Sequence, residues 1–556
     1  MDNNATETRI STDVLVIGSG IAGCFAAIHA CREGASVTVV EQGEAGFVGR
    51  SAPGPNIQRV VLPEDDFDKA LEGTVRQCGY MVDQEYADEV IRESNDRFQE
   101  ELALGANVER DWNGEVKWMM METQFPDFKQ REAVWEPFGS YKHLHKYKVE
   151  AERLGARIIS RTVVTDLLTK DGRVIGAVGV NRRTGGFLVV RAKAVIVATG
   201  DCHAAAAGNN PSLTGDGMAI GLRAGAGLRG MEFGRIGFSV IFPAGKPMTM
   251  AETMRRGLRR PGQTNVRIIN ALGEEFCEQY ESTRKIPGRL IGGPPWDCYL
   301  PAILKEDREG RGPVFWDVGA MKFEIGFTAQ QSEQNGGICI DKNGCTGVPG
   351  LYAAGNGSDM CGAVNFSIPY NLMGSHATGR RAGIQAAGYA AAAELEPVDE
   401  AQLRRLKAEA YAPLAETGGV GEAEIRRKLM DAWKYLDYRT EANLLRGLEM
   451  LRGLEDEARH LCAGDWHELV KCLKIRNTVQ VGQAGALAAL ERRESRLLHY
   501  REDYPLTDNT NWLMWIIVRG TGDSMRTETV DIPMERYKYR PEPGLVDRLA
   551  PARKDG

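Results

Sequence analysis

Gly18, Gly20 and Gly23 stand in GxGxxG register directly after VLVI at residues 14–17, and Glu41 closes a second apolar run, SVTVV. Glycines at that spacing between a strand and a helix can hold a pyrophosphate. Gly18 permits the tight turn out of a buried strand, Gly20 lets backbone approach the phosphates, and Gly23 lets the helix pack on the sheet. The helix N-terminus, with Ile21 and Ala22 in its first turn, offers unpaired N–H groups and the positive end of its dipole. Glu41 ends the second strand where an acid meets a pair of ribose hydroxyls. A carboxylate there repels a 2′-phosphate and so argues against NADP. FAD and NAD are not separated by these residues. Gln42 follows, then a Gly- and Pro-rich loop with Arg50 and Ser51 where the chain returns past the cofactor.

Other reactive side chains are dispersed. The 11 cysteines form no CxxC pair and no cluster at iron–sulfur spacing, which reads as reduced structural thiols. Electrons must then enter through an organic cofactor or a separate protein. His143 and His145 form an HxH pair without further ligands nearby, so no metal is expected. Trp296 and Trp512 are large enough to wall a pocket, although tryptophans more often serve core or interface. A formal charge of −7 without long single-sign runs leaves no footprint for nucleic acid or an anionic membrane. No run of about 18 apolar residues is present to span a bilayer, and residues 1–10 are polar without the pattern of a secretory signal. The expected location is cytoplasmic.

The elements that must position these residues alternate in an α/β pattern. With 556 residues the chain has room for roughly three or four domain-sized units. Helical periodicity runs over residues 66–105, and a helix leads into a strand over 141–161. An antiparallel meander with turns at Lys170-Asp171-Gly172 and 183–186 precedes a core strand at 194–198, which closes on Ala198, Thr199 and Gly200. Thr214 and Asp216 begin TGDGMAIGLRAGA. A strand at 351–354 ends on Gly355, a long loop follows, and a helix of small residues starts near Gly374, packing on the sheet through Gly379, Ala382 and Ala386. Residues 399–496 are charged and helically periodic, and the stretch from Asp531 is too rich in Pro and charge to form its own core, so it wraps this chain or a partner.

ATG at 198–200, TGDGMAIGLRAGA from Thr214, MEF at 231–233, GGI at 336–338, VPGLYAAGN at 348–356 and RRESRLLHYREDYP at 492–505 occur in that order. Through these segments nearly the whole chain resembles the fumarate reductase/succinate dehydrogenase flavoproteins. GSHATGR at 374–380 is similar to the segment at the same place in the adenylylsulfate reductase α subunit. The resemblance implies FAD in a Rossmann-like domain built from residues 1–240 and 330–395. An α+β capping domain at 241–329 interrupts it, and a helical domain at 396–515 and an extended tail at 516–556 follow. To the cofactor residues above it adds Val163, Val164, Asn356, Asn371 and Leu372. It implies hydride transfer between flavin N5 and a small molecule held under the cap, and it favours a ferredoxin-like iron–sulfur partner. Oligomeric state stays open. The RRESR segment reads as structural, packing the helical domain on the cap, and His203 reads as a residue behind the cofactor.

The departures from that family matter as much. Its covalent flavin histidine follows Arg-Ser, where this chain has Arg50-Ser51-Ala52, so the FAD is expected to be noncovalent; Asn356 replaces the glutamate after AAG. Of the dicarboxylate ligands, two histidines fall on Phe242 and Ser332 and two arginines on Phe366 and near Pro301. Two carboxylates taken out of water need fixed cationic partners, so succinate and fumarate are not expected. Glu252 and Arg255 keep the family's TExxR register and are the expected proton handlers, the rival being a salt bridge inside the cap. Tyr370 is expected on the loop over the isoalloxazine, and His376 is expected to orient substrate, with helix capping or a place in the flavin's shell as rival roles. Three alternatives remain at this point: an electron-transfer subunit without its own substrate, sulfur chemistry like that of adenylylsulfate reductase, and an NAD-binding dehydrogenase.

Overall fold

The strand β1 (Glu7–Ile17), the helix α1 (Ile21–Arg32) and the strand β2 (Val37–Val40) form the opening βαβ unit, with Val14 opposite Val37 and Ile17 opposite Val40 in parallel. They belong to a computed structural model that describes residues 6–49, 51–52, 57–122, 129–135, 139–203, 212–234, 238–242, 248–249, 267–280, 296–317, 322–327, 336–362 and 368–551. Val14, Leu15 and Val16 are fully buried, as expected of a parallel strand covered on both faces.

β3 (Arg157–Ile159) extends the sheet beyond β2. β4 (Thr162–Lys170) turns through Asp171 and Gly172 into β5 (Arg173–Asn181), which turns through residues 182–186 into β6 (Phe187–Val197). The last strand of the expected meander and the expected core strand are thus one strand. β6 pairs with β1 in parallel from Glu7 opposite Phe187 to Ile17 opposite Val197. On its other edge the first half pairs antiparallel with β5, and the last three residues pair in parallel with β7 (Leu351–Ala353). Splitting the partners of β6 leaves the ends of β1, β2, β6 and β7 together at one edge of the sheet.

After β2 come α2 (Phe67–Gln77), α3 (Gln84–Arg92), α4 (Ser94–Ala103) and α5 (Gly139–Arg153), with α6 (Asp216–Arg223) following β6. In the cap, strands Phe238–Phe242, Met248–Thr249, Arg267–Ile269, Val314–Asp317 and Lys322–Phe327 form an antiparallel sheet beside α7 (Trp296–Arg308). α8 (Ile368–Ala392) starts six residues before the expected Gly374, because Pro369 in its first turn has the backbone angle a helix start accepts. Tyr370 and Asn371 therefore lie in that first turn rather than in a loop.

The helical domain holds α9 (Glu400–Ala415), α10 (Glu422–Asp437), α11 (Glu441–Glu457) and α12 (Trp466–Glu491). α12 is buried around its whole circumference, the pattern of a central helix. Its C-terminal exit is a buried charge cluster. Arg492 donates to Glu232 Oε1 at 2.9 Å, to Glu494 Oε1 at 2.9 Å and to the Met514 carbonyl at 2.7 Å. Arg496 grips both oxygens of Glu494 at 2.8 and 3.0 Å and the Gly79 carbonyl at 3.0 Å. The expected boundary at 515/516 falls inside the strand Met514–Arg519, which pairs with Leu228–Arg229 and with Arg526–Asp531. The C-terminal segment does wrap this chain: Ile532 and Tyr537 bury against Met81, Phe233 and Leu497, and the Tyr539 N–H donates to Gln84 Oε1 at 3.1 Å.

A small sheet of Ile57–Arg59, Lys129–Val134 and Trp118–Glu122 flanks the α1 side. In it Glu132 lies opposite Arg59. Glu132 is fully buried and neither of its oxygens has a hydrogen-bond partner among the described residues. Burial pushes its carboxyl from an ordinary 4.5 up to about 7, against the pull of Arg59. Between those values the folded chain binds more protons than the unfolded one, so stability falls as pH rises through that window. Glu132→Gln removes the titration. The stability of the variant relative to wild type should therefore rise from pH 5 to pH 8, by roughly 2–3 kcal/mol in denaturant titrations. A constant offset across that range would show that Glu132 does not titrate there.

Candidate functional site

Where β1 ends, Gly18 takes a φ of +104°, and a β-carbon there would stand 2.4 Å from the Ala198 carbonyl oxygen. Only glycine lets the β1–α1 turn lie on the end of β6. A β-carbon on Gly23 would stand 2.0 Å from the Gly18 carbonyl oxygen, so α1 needs that glycine to start so close to the turn. Gly20 caps α1 with no side-chain hydrogen bond of its own, and Ser51 Oγ accepts from the Ile21 N–H at 3.2 Å. The helix end is left open to an anion.

Glu41 is buried and already ordered. Its Oε2 accepts from the Ser19 N–H at 2.8 Å and the Ser19 hydroxyl at 2.9 Å, and its Oε1 accepts from the Gly43 N–H at 2.9 Å. Oε1 retains a lone pair for a ribose hydroxyl. Next to it, the Lys474 ammonium from α12 donates to Gln42 Oε1 at 2.6 Å and to the Ser212 carbonyl at 2.8 Å. Lys474 also stands 3.8 Å from Asp216 Oδ2, while Asn477 donates to Asp216 Oδ1 at 2.8 Å and Thr214 to Asp216 Oδ2 at 2.9 Å.

Of these groups Ser19, Glu41, Gln42 and Asp216 border one cleft, whose empty space together with the solvent it opens to is about 1110 Å3. Gly18, Gly20, Ile21, Ala22, Glu41, Gln42, Ser51, Val163, Val164, Ala198, Thr199, Gly200, Asp216, Gly355, Asn356 and Leu372 all line it. Gly23 lies beneath the turn, and Thr214 stands behind Asp216. Ser19, Asp201, Leu213, Ile220 and Ser375 line it as well. Ser19 could have been found from its place inside GSG, but nothing local marks Lys474. The buried Thr199 Oγ1 and Asn356 Oδ1 have no hydrogen-bond partner among the described residues. Orphan polar atoms, a helix end whose cap residue has no side chain and an ordered acid along one groove fit a dinucleotide.

Arg50, Glu252, Arg255, Ser332 and Phe366 lie outside the described residues, as do the side chains of Phe242, Trp296, Tyr370 and Asn371. His376 is placed elsewhere than expected. A helix turns by roughly 100° per residue, so with Ser375 on the cleft the His376 ring faces α1 and α4. It is fully buried, stacks on Phe25 with centroids 3.5 Å apart, and sits 2.9 Å from Glu101 Oε1 and 3.3 Å from Glu100 Oε2. Burial alone would raise the Glu100 carboxyl, but hydrogen bonds from His29 and His376 outweigh it and hold the group well below the usual range. The His376 ring thus packs between α1 and α4 and does not line the cleft. His143 accepts the Asn107 N–H at 2.7 Å, and burial pushes its pKa down to about 4. His145 is exposed, and no group of three or more potential metal ligands occurs among the described residues. His203 is buried 3.3 Å from Asp201 Oδ1, behind the cleft wall. Trp512 packs under the Arg492 guanidinium at 5.8 Å, away from the cleft.

Comparison with known proteins agrees with this geometry. A family model described as an FAD binding domain matches residues 13–369, and one described as the fumarate reductase flavoprotein C-terminus matches residues 428–544. The chain is 28% identical to a fumarate reductase (CoM/CoB) subunit of Methanothermobacter marburgensis, over 89% of this chain and 95% of that protein. It is 26% identical to an L-aspartate oxidase of Streptomyces coelicolor over 94% of each. In fold it matches E. coli quinol fumarate reductase FrdA with a TM-score of 0.82 at 21% identity, covering 98% of this chain and 99% of that one. Adenylylsulfate reductase of Archaeoglobus fulgidus matches with a TM-score of 0.77 at 19% identity, covering 97% and 98%. No helix among the described residues is long and apolar enough to cross a membrane. With a cleft that fits a dinucleotide, both family regions and full-length relatives in agreement, the chain belongs to the fumarate reductase/succinate dehydrogenase flavoprotein family and is an FAD-dependent oxidoreductase.

Proposed function

We propose that this chain transfers a hydride between noncovalently bound FAD and a small molecule less anionic than succinate or fumarate, exchanging electrons with a ferredoxin-like iron–sulfur partner. The observation that carries the substrate reading is Pro301. It is buried inside α7, near the place where the family resemblance puts an arginine. Phe242, Ser332 and Phe366 stand at the other three dicarboxylate positions, so the chain offers no charge at any of the four. Relatives named for fumarate reduction are 27–28% identical to it, a distance at which a pocket can change while the scaffold persists.

When bound, FAD supplies the two-electron chemistry. The chain's residues do the rest. Glu41 and the Gly18–Gly20 turn hold the adenylate and pyrophosphate, while Gly355, Asn356, Leu372 and Ser375 close the groove from the other half of the domain. Glu252 and Arg255 manage the proton under the cap, and a cap that moves over them gates the substrate. Ala52, in the place of the covalent histidine, is 1% exposed and has only a methyl group to offer. The partner reading rests on the sequence, which has neither an iron–sulfur cysteine cluster nor a second dinucleotide fingerprint.

Two measurements check this reading. Acid precipitation of the purified yellow protein should leave the flavin in the supernatant; flavin fluorescence in the washed pellet would show a covalent bond. Anaerobically photoreduced protein should be reoxidised by an uncharged or aromatic acceptor at least about tenfold faster than by fumarate, since each unpaired buried carboxylate costs several kcal/mol. Fumarate as the fastest acceptor would overturn the substrate assignment.

A further inference from the structure

Lys474 is a buried ammonium in a helix that the dinucleotide fingerprint does not include. Its stem runs through the packed face of α12, and its head reaches Gln42 Oε1 and the Ser212 carbonyl, with Asp216 nearby. Burial depresses its pKa, and Asp216 partly restores it. Keeping a charge out of water is costly, and a methionine would fill the same space without that cost. The ammonium's side-chain partners, Gln42 and Asp216, both line the cofactor cleft. Gln42 directly follows the ribose acid Glu41, so this is the adenosine end. One turn further along α12, Asn477 holds the other oxygen of Asp216 and Thr478 holds the Thr214 carbonyl at 3.1 Å.

We propose that Lys474 is a positioning residue for the adenosine end of FAD. By fixing Gln42 and Asp216, it makes the helical domain complete a dinucleotide site that the N-terminal βαβ unit begins. The proposal rests on the FAD reading of the cleft. It implies that cofactor loading requires α12 to be docked.

The test uses full-length apoprotein and two probes, FAD and ADP, the second reporting the adenosine half alone. Lys474→Met should weaken both by a similar factor of about tenfold or more, the loss of a charge-assisted hydrogen bond. Gln483→Leu is the structural control. Gln483 lies on the same helix but bonds the Leu451 carbonyl and Glu455, inside the helical bundle. It should lower Tm while leaving ADP binding within about twofold of wild type. The proposal is overturned if Lys474→Met leaves both dissociation constants unchanged, or if Gln483→Leu weakens ADP equally. Should Lys474→Met fail to fold, Gln42→Leu breaks the same bond from the cleft side; unchanged ADP affinity there would also overturn it. Wild-type apoprotein that binds neither probe would instead refute the dinucleotide reading on which the proposal stands.

Discussion

Two helices that touch backbone to backbone make the cofactor cleft possible. A β-carbon at Gly379 would lie 2.3 Å from the Ala22 carbonyl oxygen, and one at Gly383 would lie 2.4 Å from that of Ala26. The spacing of four residues puts both glycines on one face of α8 and both carbonyls on one face of α1. α1 begins at the pyrophosphate turn, and α8 begins in the loop that follows β7. Their contact therefore carries Leu372 and Ser375 to Ile21 and Ala22, and brings the two separate pieces of the FAD domain onto one groove. Gly355 repeats the constraint at the strand end, where an added β-carbon would stand 2.7 Å from that of Ala22. Side chains at these glycines would force the helices apart and open the groove along its length.

The opposite wall depends on charge rather than close approach. α12 carries Lys474 to the adenosine end, and it is fixed at both termini. At its start Asp465 caps the Glu468 N–H at 2.8 Å, and Trp466 occupies the space that a side chain on Gly185 would need. At its end Arg492 binds Glu232, Glu494 and the carbonyls of Trp512 and Met514. Buried ion pairs of this kind add little net stability, but they penalise any packing that separates the partners. Glu232 follows the strand Leu228–Arg229, which pairs with Met514–Arg519, so the same cluster ties the end of α12 to the FAD domain rather than to the cap.

What could be read in the sequence was whatever local chemistry determines. The strand, glycine turn and acid of the adenylate end are contiguous, and each residue has a physical reason to be there. Most of the cleft was legible on that basis, together with the ordered segments that resemble a family. The start of α8 was not, because Pro369 reads equally as a loop residue or a helix start. His376 was misplaced by one residue of helical rotation: Ser375 meets the cleft and His376 meets Glu101. The second role of β6 and the pairing of Met514–Arg519 with Leu228–Arg229 depend on contacts between distant segments, which no local pattern announces. Lys474 is harder still, since a lysine in a charged helical stretch looks like a solvated side chain until α12 is seen to be central.

The cofactor and the substrate are legible to different degrees for a physical reason. A pyrophosphate is gripped by backbone N–H groups and a helix end, and the glycines that allow this leave a pattern in one short stretch. A small substrate is gripped by side chains that separate loops deliver, and each can change alone while the scaffold stays. This chain shows that separation. It keeps the fold at a TM-score of 0.82 with 21% identity, while four-fifths of its residues differ from those of that neighbour. The glycine turn and the α1–α8 contact can therefore persist while the residues around a substrate are exchanged.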